Sequence, residues 1–299
     1  MKIFKYILIS IALISFWQCS EEDDITAEIV PYRRSYDVNS PDTVMRFVSQ
    51  YYYKYNHVFI TDPDTSDYLY NFVMKNPVYM VQAEQTTEHL LYGISYMKEL
   101  FLDFYPDEFI KNHFPFSLII ADSIGLTEYP QGPKDHYVTR NFVALNVGEM
   151  TKNYTFEQKK RLSLSMHFEF IVNVLYTYGE GLELTDFFSP GEKLYSTTTG
   201  DWDNAKKWTQ EELFAAGFLY DDKAGSYYPF TGFVSKSQDL KDWLSFLWGY
   251  KEYSWSKIPD NVEELIDTYP VMKQKYDVLT KAIKDCIGVD YKDLIYKEK

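Results

Sequence analysis

The sequence predicts a mainly helical α+β domain with a small mixed sheet of three or four strands. Apolar residues recur at helical spacing along most of the chain, whereas a few short runs are continuously apolar. Prolines and glycines separate the two kinds of segment. About 280 residues follow the N-terminal segment considered below, which is enough for one large core or two closely packed subdomains.

Helices are predicted where apolar residues repeat every three to four positions. Ser40-Pro41-Asp42 is a typical helix start, with Ser40 as the cap, and the helix should run to about Tyr55. Thr155 and Gln158 form a capping-box pattern that predicts a helix over 155–176. The other predicted helices cover about 81–104, a short segment through Phe109, and about 209–216, 236–249, 261–267, 270–287 and 290–296.

Strands are predicted where short apolar runs lie between turn residues. These runs are 57–60, 116–121 and 141–147, and the last two flank a loop that contains Pro130, Gly132 and Pro133. The stretch 178–208 is rich in Gly, Ser, Thr and Pro, so we expect an irregular excursion over the surface there.

The N-terminus has the pattern of a signal peptide. Lys2 and Lys5 precede an apolar run from Ile7 to Trp17, which is shorter than the ~18–20 residues that a membrane-spanning helix needs. The run ends at Cys19, which resembles the cysteine that is acylated in bacterial lipoproteins. We therefore expect a signal peptide at 1–18, a flexible acidic tether at 19–39 and a folded domain at 40–299.

The acidic residues after Cys19 resemble a signal that directs some lipoproteins to the outer face of the outer membrane. We expect a lipid-anchored, surface-exposed protein; an ordinary secreted protein with a stray cysteine is the alternative. Removal of residues 1–18 lowers the basic residues from 30 to 28 against 44 acidic ones, a formal charge of −16. This excess argues against nucleic acid as a partner and against electrostatic adhesion to anionic lipid.

Cysteine and aromatic usage add two expectations. The other cysteine is Cys286, so acylation of Cys19 leaves no internal disulfide, and Cys286 should be a small buried hydrophobe. The chain has 28 Tyr, 21 Phe and 6 Trp, and their frequent helical spacing favours core packing. Stacking on sugars is the alternative, with Trp202, Trp208 and Trp255 in or beside irregular stretches where they would be exposed.

The segment Phe168-Glu169-Phe170-Ile171-Val172 has the frame of a zinc-protease helix without its zinc ligands. Such a helix carries two His four residues apart, and a Glu directly after the first His acts as general base. Glu169 is at the base position, but Phe168 and Val172 hold the ligand positions and have no lone pair to donate. Taken locally, both residues also fit an ordinary apolar stripe, with Glu169 pointing elsewhere.

Further segments share an order and spacing with a known family: Phe47 to Asn56, Phe142 to Asn146, Trp208 to Phe218, and Tyr276 to Leu294. In these features the chain resembles the substrate-import-associated zinc metallopeptidase-like surface lipoproteins, from about Ser40 to Leu294. The resemblance implies a zincin-like metallopeptidase fold. It also implies an association with TonB-dependent importers and SusD-like partners.

The motif helix of that family usually reads His-His-Glu-Phe-x-His. The resemblance therefore places His167 at the first, non-ligand His, Phe168 and Val172 at the two zinc-ligand positions, and Glu169 at the base. It implies a third ligand from an acidic residue on a later helix, where the counterpart is Asp242. Two carboxylates of the frame are present, and both ligand imidazoles are replaced.

Catalytic zinc needs three protein ligands and an open position for water. Asp242 alone leaves two ligands missing, so we expect no metal and no other cofactor, and Glu169 has no activated water to deprotonate. His167 does not substitute, because one residue along a helix turns the side chain by ~100°. The other histidines are scattered and form no pair at helical spacing.

The sequence thus favours a surface-exposed outer-membrane lipoprotein that resembles zinc metallopeptidases but lacks metal and catalysis. It would be a binding or accessory component of a TonB-dependent, SusC/SusD-type import system for peptides or glycans. Three alternatives stay open. They are an active zinc metallohydrolase with non-standard ligands near Glu169 and Asp242, an aromatic-rich glycan-binding lipoprotein, and a structural partner of an importer with no ligand of its own.

Overall fold

The computed structural model describes residues 34–69, 78–126, 132–179, 181–195, 209–219, 235–249 and 259–297. Its body from Tyr36 onward is α+β, mainly helical with a small mixed sheet, and this confirms the predicted fold class. Cys19 and the segment around it lie outside the described residues, as do Trp202, Trp208 and Trp255. Within the described ranges, no helix is both long enough and apolar enough to cross a membrane.

The α-helices are α1 (Thr43–Tyr55), α2 (Thr65–Tyr68), α3 (Thr87–Leu100), α4 (Asp107–His113), α5 (Glu149–Lys152), α6 (Phe156–Glu169), α7 (Thr185–Phe188), α8 (Gln210–Ala215), α9 (Lys236–Trp248), α10 (Val262–Thr268) and α11 (Pro270–Ile287). Short 3-10 turns cover Leu102–Phe104, Ser189–Gly191 and Tyr291–Leu294. A π-helical segment, Phe170–Tyr176, continues α6 directly.

The sheet contains β1 (Val58–Ile60), β2 (Val78–Gln82), β3 (Ser117–Leu126), β4 (His136–Val138) and β5 (Phe142–Asn146). Its main strand order is β1-β3-β5-β4, and β2 pairs with β3. β1, β3 and β5 are parallel, whereas β2 and β4 are antiparallel to their partners. β4 therefore forms one edge of the described sheet, next to the motif helix α6.

Both faces of the central strands are buried, which explains their continuously apolar sequences. On β3, Leu118 and Ile120 belong to the large core shared with the helices, whereas Ile119 and Ala121 face a smaller core on the opposite side. α3 lies close to the sheet at Gly93, where an added Cβ would come within 2.8 Å of the Ile120 side chain. Glycine at this position permits the close packing of helix on sheet.

Four sequence-based predictions need correction. The sheet has five strands, because residues 78–82 and 136–138 also pair. Val81 lies in β2, and α3 begins only at Thr87 with Thr86 as its cap. The cap of α1 is Asp42, whose carboxylate accepts hydrogen bonds from the amides of Val44 and Met45. The expected excursion over 178–208 contains α7 and a 3-10 turn in its described part.

Candidate functional site

The motif helix α6 is well defined at its start. The Thr155 hydroxyl accepts from the Gln158 amide at 3.4 Å, and the Thr155 amide donates to the Gln158 side chain at 2.9 Å, so the predicted capping box is present. After Glu169 the backbone widens into the π-helical segment, in which the Thr177 amide donates to the Val172 carbonyl at 3.1 Å. The change from α to π geometry thus falls within the motif itself, and π turns often mark functional positions.

Both ligand positions of the motif lie in the hydrophobic core. Phe168 is 1% exposed and Val172 is 2% exposed, and both belong to the large cluster that also contains Leu164, Ile171 and Leu175. The apolar stripe expected from the sequence is therefore real. Neither side chain offers a lone pair, so these two positions supply hydrocarbon packing where the resemblance would place metal ligands.

Glu169 contacts a histidine that the sequence did not single out. His136 Nε2 lies 3.4 Å from Glu169 Oε2 and 3.1 Å from the Ser165 hydroxyl. The side chains of His136 and Glu169 are 9% and 22% exposed, so this cluster is largely shielded from water. Burial raises the pKa of the neighbouring Tyr137, and the Glu169 carboxylate raises it further.

Strand pairing brings His136 to this place. His136 is opposite Leu145 in the antiparallel β4–β5 pair, so both side chains are on one face of the sheet. Leu145 is part of the large core that includes Phe168, so this face is directed towards α6. The only sequence signal was the short His-Tyr-Val run before the Thr139–Asn141 turn, and this run is too short to predict a strand alone.

Ser165, His136 and Glu169 do not form a relay for nucleophilic catalysis. In such a relay the base receives the serine proton on one ring nitrogen while a carboxylate orients the other nitrogen. Here both partners contact Nε2, and Nδ1 is buried without a hydrogen-bond partner in the described structure. Ser165 is also only 4% exposed, so its hydroxyl is poorly accessible to a substrate.

His167 points away from Glu169, as expected from the helix geometry. It is fully buried among the rings of Phe101, Phe104 and Tyr105, with centroid distances of 5.3, 4.8 and 5.4 Å. The Tyr105 hydroxyl lies 2.7 Å from its Nδ1, and Nε2 has no hydrogen-bond partner in the described ranges. Burial lowers the pKa of His167 to about 3, so the imidazole is neutral at ordinary pH.

Asp242, the counterpart of the third ligand, is buried on helix α9. It is 3% exposed on α9 and accepts a hydrogen bond of 2.8 Å from the Gln238 side chain. Its charge also acts on Lys275, favouring the protonated ammonium. Asp242 thus acts electrostatically on an internal cation of α11.

Lys275 makes the most deeply buried ion pair in the described structure. Its ammonium is 2.5 Å from Asp239 Oδ2, both side chains are 1% exposed or less, and the Tyr195 hydroxyl donates to the same oxygen. The rings of Phe187 and Phe218 lie 4.3 and 4.9 Å from the ammonium, which is within range of cation–π attraction. Burial lowers the pKa of Lys275 and raises that of Asp239, while each partner's charge opposes the shift.

The residues around the motif do not fit a catalytic zinc. Within the described ranges, no group of three His, Cys, Asp or Glu side chains is arranged to hold a metal ion. His136 and Glu169 are two potential donors, and their 3.4 Å separation is close to the edge of a tetrahedron with bonds of ~2.0–2.1 Å. Two donors still fall short of the three protein ligands that a catalytic site requires.

Two adjoining cavities lie elsewhere in the fold. The larger, about 690 Å³, is bounded by α1, α3, the start of α6 and Tyr296. The smaller, about 400 Å³, lies between α1 and the segment from α3 to α4. They share Phe47, Lys98 and Asp103, whereas neither is lined by Glu169 or Asp242.

Comparison with known proteins gives one distant structural neighbour. No family model matches the sequence, and no curated protein matches it. A solved structure from Bacteroides caccae, described as a "putative zinc-binding metallo-peptidase", is similar with a TM-score of 0.45 and 17% sequence identity. The similarity covers 87% of this chain and 92% of the neighbour. That description applies to the neighbour, and what this chain binds has to follow from its own residues.

Proposed function

We propose that the chain is a surface-exposed outer-membrane lipoprotein with a metallopeptidase-like domain that works by binding, without metal or catalysis. One observation carries this proposal. The two positions that would hold zinc ligands, Phe168 and Val172, are packed in the core, and the remaining base position, Glu169, contacts His136. Glu169 then has no metal-activated water to deprotonate.

The biological setting of this proposal is a TonB-dependent, SusC/SusD-type nutrient import system, in which the domain is a binding or accessory component for peptides or glycans. The segment resemblance and the lipoprotein-like N-terminus support this setting. Acylated Cys19 would anchor the chain in outer-membrane lipid, and the acidic residues after it would direct the chain to the cell surface.

Metal analysis tests the absence of metal. The full chain, purified without chelator and then dialysed against micromolar zinc, should retain far less than one zinc per chain. Its peptidase activity should also be no higher than that of the Glu169→Gln variant. About one zinc per chain, lost in both His136→Ala and Glu169→Gln, would replace the proposal with the second candidate, a metallohydrolase with non-standard ligands. The 3.4 Å contact between these two side chains is the observation that favours that candidate.

Labelling with fatty acid and the mass of the mature chain test the anchor. Cys19→Ala should no longer incorporate labelled fatty acid and should keep its signal peptide, because cleavage of a lipoprotein signal requires the acylated cysteine. Cys286→Ala is the matched control, because Cys286 is half-buried in the folded domain and is not part of the N-terminal signal. Fatty-acid incorporation that is unchanged in the Cys19→Ala variant would contradict lipid anchoring at this residue. Co-purification of the anchored chain with an importer complex would support the partner part of the proposal.

A further inference from the structure

The larger and smaller cavities share Phe47, Lys98 and Asp103, and together they make a candidate ligand site that we call the trough. Their volumes, about 690 and 400 Å³, are in the range typical of small-molecule pockets. The trough is built mainly on helices α1, α3 and α6, so its lining residues are held by regular secondary structure. We propose that this trough binds a neutral oligosaccharide. The inference rests on the proposed binding role and gives it a site and a ligand class.

Aromatic rings supply the apolar surfaces of the trough. Phe47, Tyr154 and Phe156 are half-buried and line the larger cavity together with Tyr296, whose ring lies 5.6 Å from that of Phe156. Tyr51 and Tyr55 contribute to the smaller cavity. Ring faces of this kind pack against the C–H faces of sugar rings. Phe47, Tyr154 and Phe156 therefore offer apolar ring surface to a polyhydroxylated ligand, whereas the buried rings of Tyr51, Tyr55 and Tyr296 form the wall behind it.

Fixed polar groups lie between these rings. Glu99 is held by Lys159, whose ammonium is 3.3 Å from Oε1, and by the Tyr296 hydroxyl. In the smaller cavity Lys54 is 2.7 Å from Asp107, but both side chains are more than half exposed. The Glu99 cluster is preorganised, so little ordering is required there when a ligand hydroxyl binds, whereas the exposed Lys54–Asp107 pair is held less firmly.

Two lining groups have unused hydrogen-bonding capacity. The side chain of Lys98, which lines both cavities, makes no hydrogen bond or ion pair with any other described residue. Tyr51 is only 4% exposed and lines the smaller cavity, yet its hydroxyl has no hydrogen-bond partner among the described residues. A buried polar group without a partner costs free energy, and a ligand hydroxyl would remove that cost.

The charge of the trough favours a neutral ligand. Lys98 and Lys159 balance Glu99 and Asp103 in the larger cavity. The smaller cavity likewise has two cations and two carboxylates. A balanced lining gives no net attraction to a polyanion or a polycation. No described strand contributes a residue to either lining, so an extended peptide has no strand edge to pair with here.

The test is an array of neutral oligosaccharides, matched uronic-acid oligosaccharides and peptides, probed with the full chain in detergent. Ser95 is exposed on α3 and lines the larger cavity, so Ser95→Trp should fill the trough and abolish binding. Lys98→Ala should weaken binding about tenfold, the effect of one hydrogen bond to a charged group. Gln274→Trp and Lys281→Ala, at exposed positions of α11 outside both cavities, are the matched controls and should bind normally.

The possible results separate three questions: the ligand class, the location of the site and the proposed binding role. Retention of a neutral oligosaccharide that only the Ser95 and Lys98 variants lose supports the inference, provided that circular dichroism shows all variants folded. No retained neutral oligosaccharide, or retention of peptides or acidic glycans through the trough, overturns the ligand class. Neutral-glycan binding that is the same in the wild type and in both variants overturns this site but leaves the proposed binding role intact. Zinc-dependent peptidase activity would overturn the proposed function, while chelator-resistant glycan binding at the trough would still stand.

Discussion

The buried imidazole of His167 should make the stability of this domain depend on pH. In the folded chain its pKa is lowered to about 3 by burial, whereas an exposed His in the unfolded chain titrates near 6.5. Between these values the unfolded state binds a proton that the folded state does not. Stability from this group is therefore present above pH ~6.5 and is lost as the pH falls towards 3.

The size of the effect follows from the width of this pH window. One pKa unit corresponds to about 1.4 kcal/mol, so lowering the pH from 7 to 4 should remove about 3 kcal/mol from the free energy of unfolding. Carboxylates titrate in the lower part of the same range, so the informative quantity is the difference between the wild type and a variant without the imidazole. His167→Asn keeps an acceptor near the Nδ1 position and should lose this part of the pH dependence.

Urea unfolding at intervals between pH 7 and pH 4, followed by circular dichroism, measures this difference. Tyr105→Phe is the matched control, because it removes the 2.7 Å hydrogen-bond partner but leaves the imidazole buried. Its pH dependence should equal that of the wild type, since burial is the cause of the lowered pKa. An identical pH dependence in His167→Asn and the wild type would refute the reasoning. Loss of the dependence in Tyr105→Phe would show that the hydrogen bond, not burial, sets the pKa.

Three further predictions concern the core. Lys275→Met should lower the free energy of unfolding in urea by about 3–5 kcal/mol, because Asp239 loses its cation. Adding Asp239→Asn should recover part of this loss. If the losses of the two single variants simply add in the double variant, the ion pair does not stabilise the fold. In the double variant Phe168→His/Val172→His the free energy of unfolding should fall by about 3 kcal/mol or more, since two imidazoles replace fully packed side chains. Unchanged stability would mean that these positions are not in the core. Gly217→Ala should lower the thermal midpoint, because φ is +81° and the new Cβ would lie 2.5 Å from Lys275 Cδ; an unchanged midpoint would exclude that strain.

Local sequence patterns were sufficient for much of the fold. Where the apolar period, a cap and a stop coincide, as in the helix that begins after Thr155, the predicted element is present with its capping box. The two apolar runs around 116–121 and 141–147 are central strands because both faces are buried, and burial on both faces gives a continuous apolar run.

The rest depends on pairing between distant segments. Val78–Gln82 is rich in residues that favour strands, but so short a run cannot be separated by its pattern alone from the start of the helix that follows it. Its pairing with β3 makes it a strand. The same limit applies to the candidate site. His136 meets Glu169 only because β4 pairs with β5, and Lys275 meets Asp239 only through the packing of α11 against the rest of the core. Spacing along one helix could place Phe168 and Val172, but it could not supply these partners.

The contact between the Tyr296 hydroxyl and Glu99 has a consequence for folding. These two residues are 197 positions apart, and their contact completes one wall of the larger cavity. Closing so long a loop is entropically unfavourable and slow, so this wall should form late, after α3 and α6 have docked. The trough is thus a property of the assembled chain. A nascent or cleaved chain that lacks Tyr296 would keep several of the lining side chains without the enclosed shape that makes them a site.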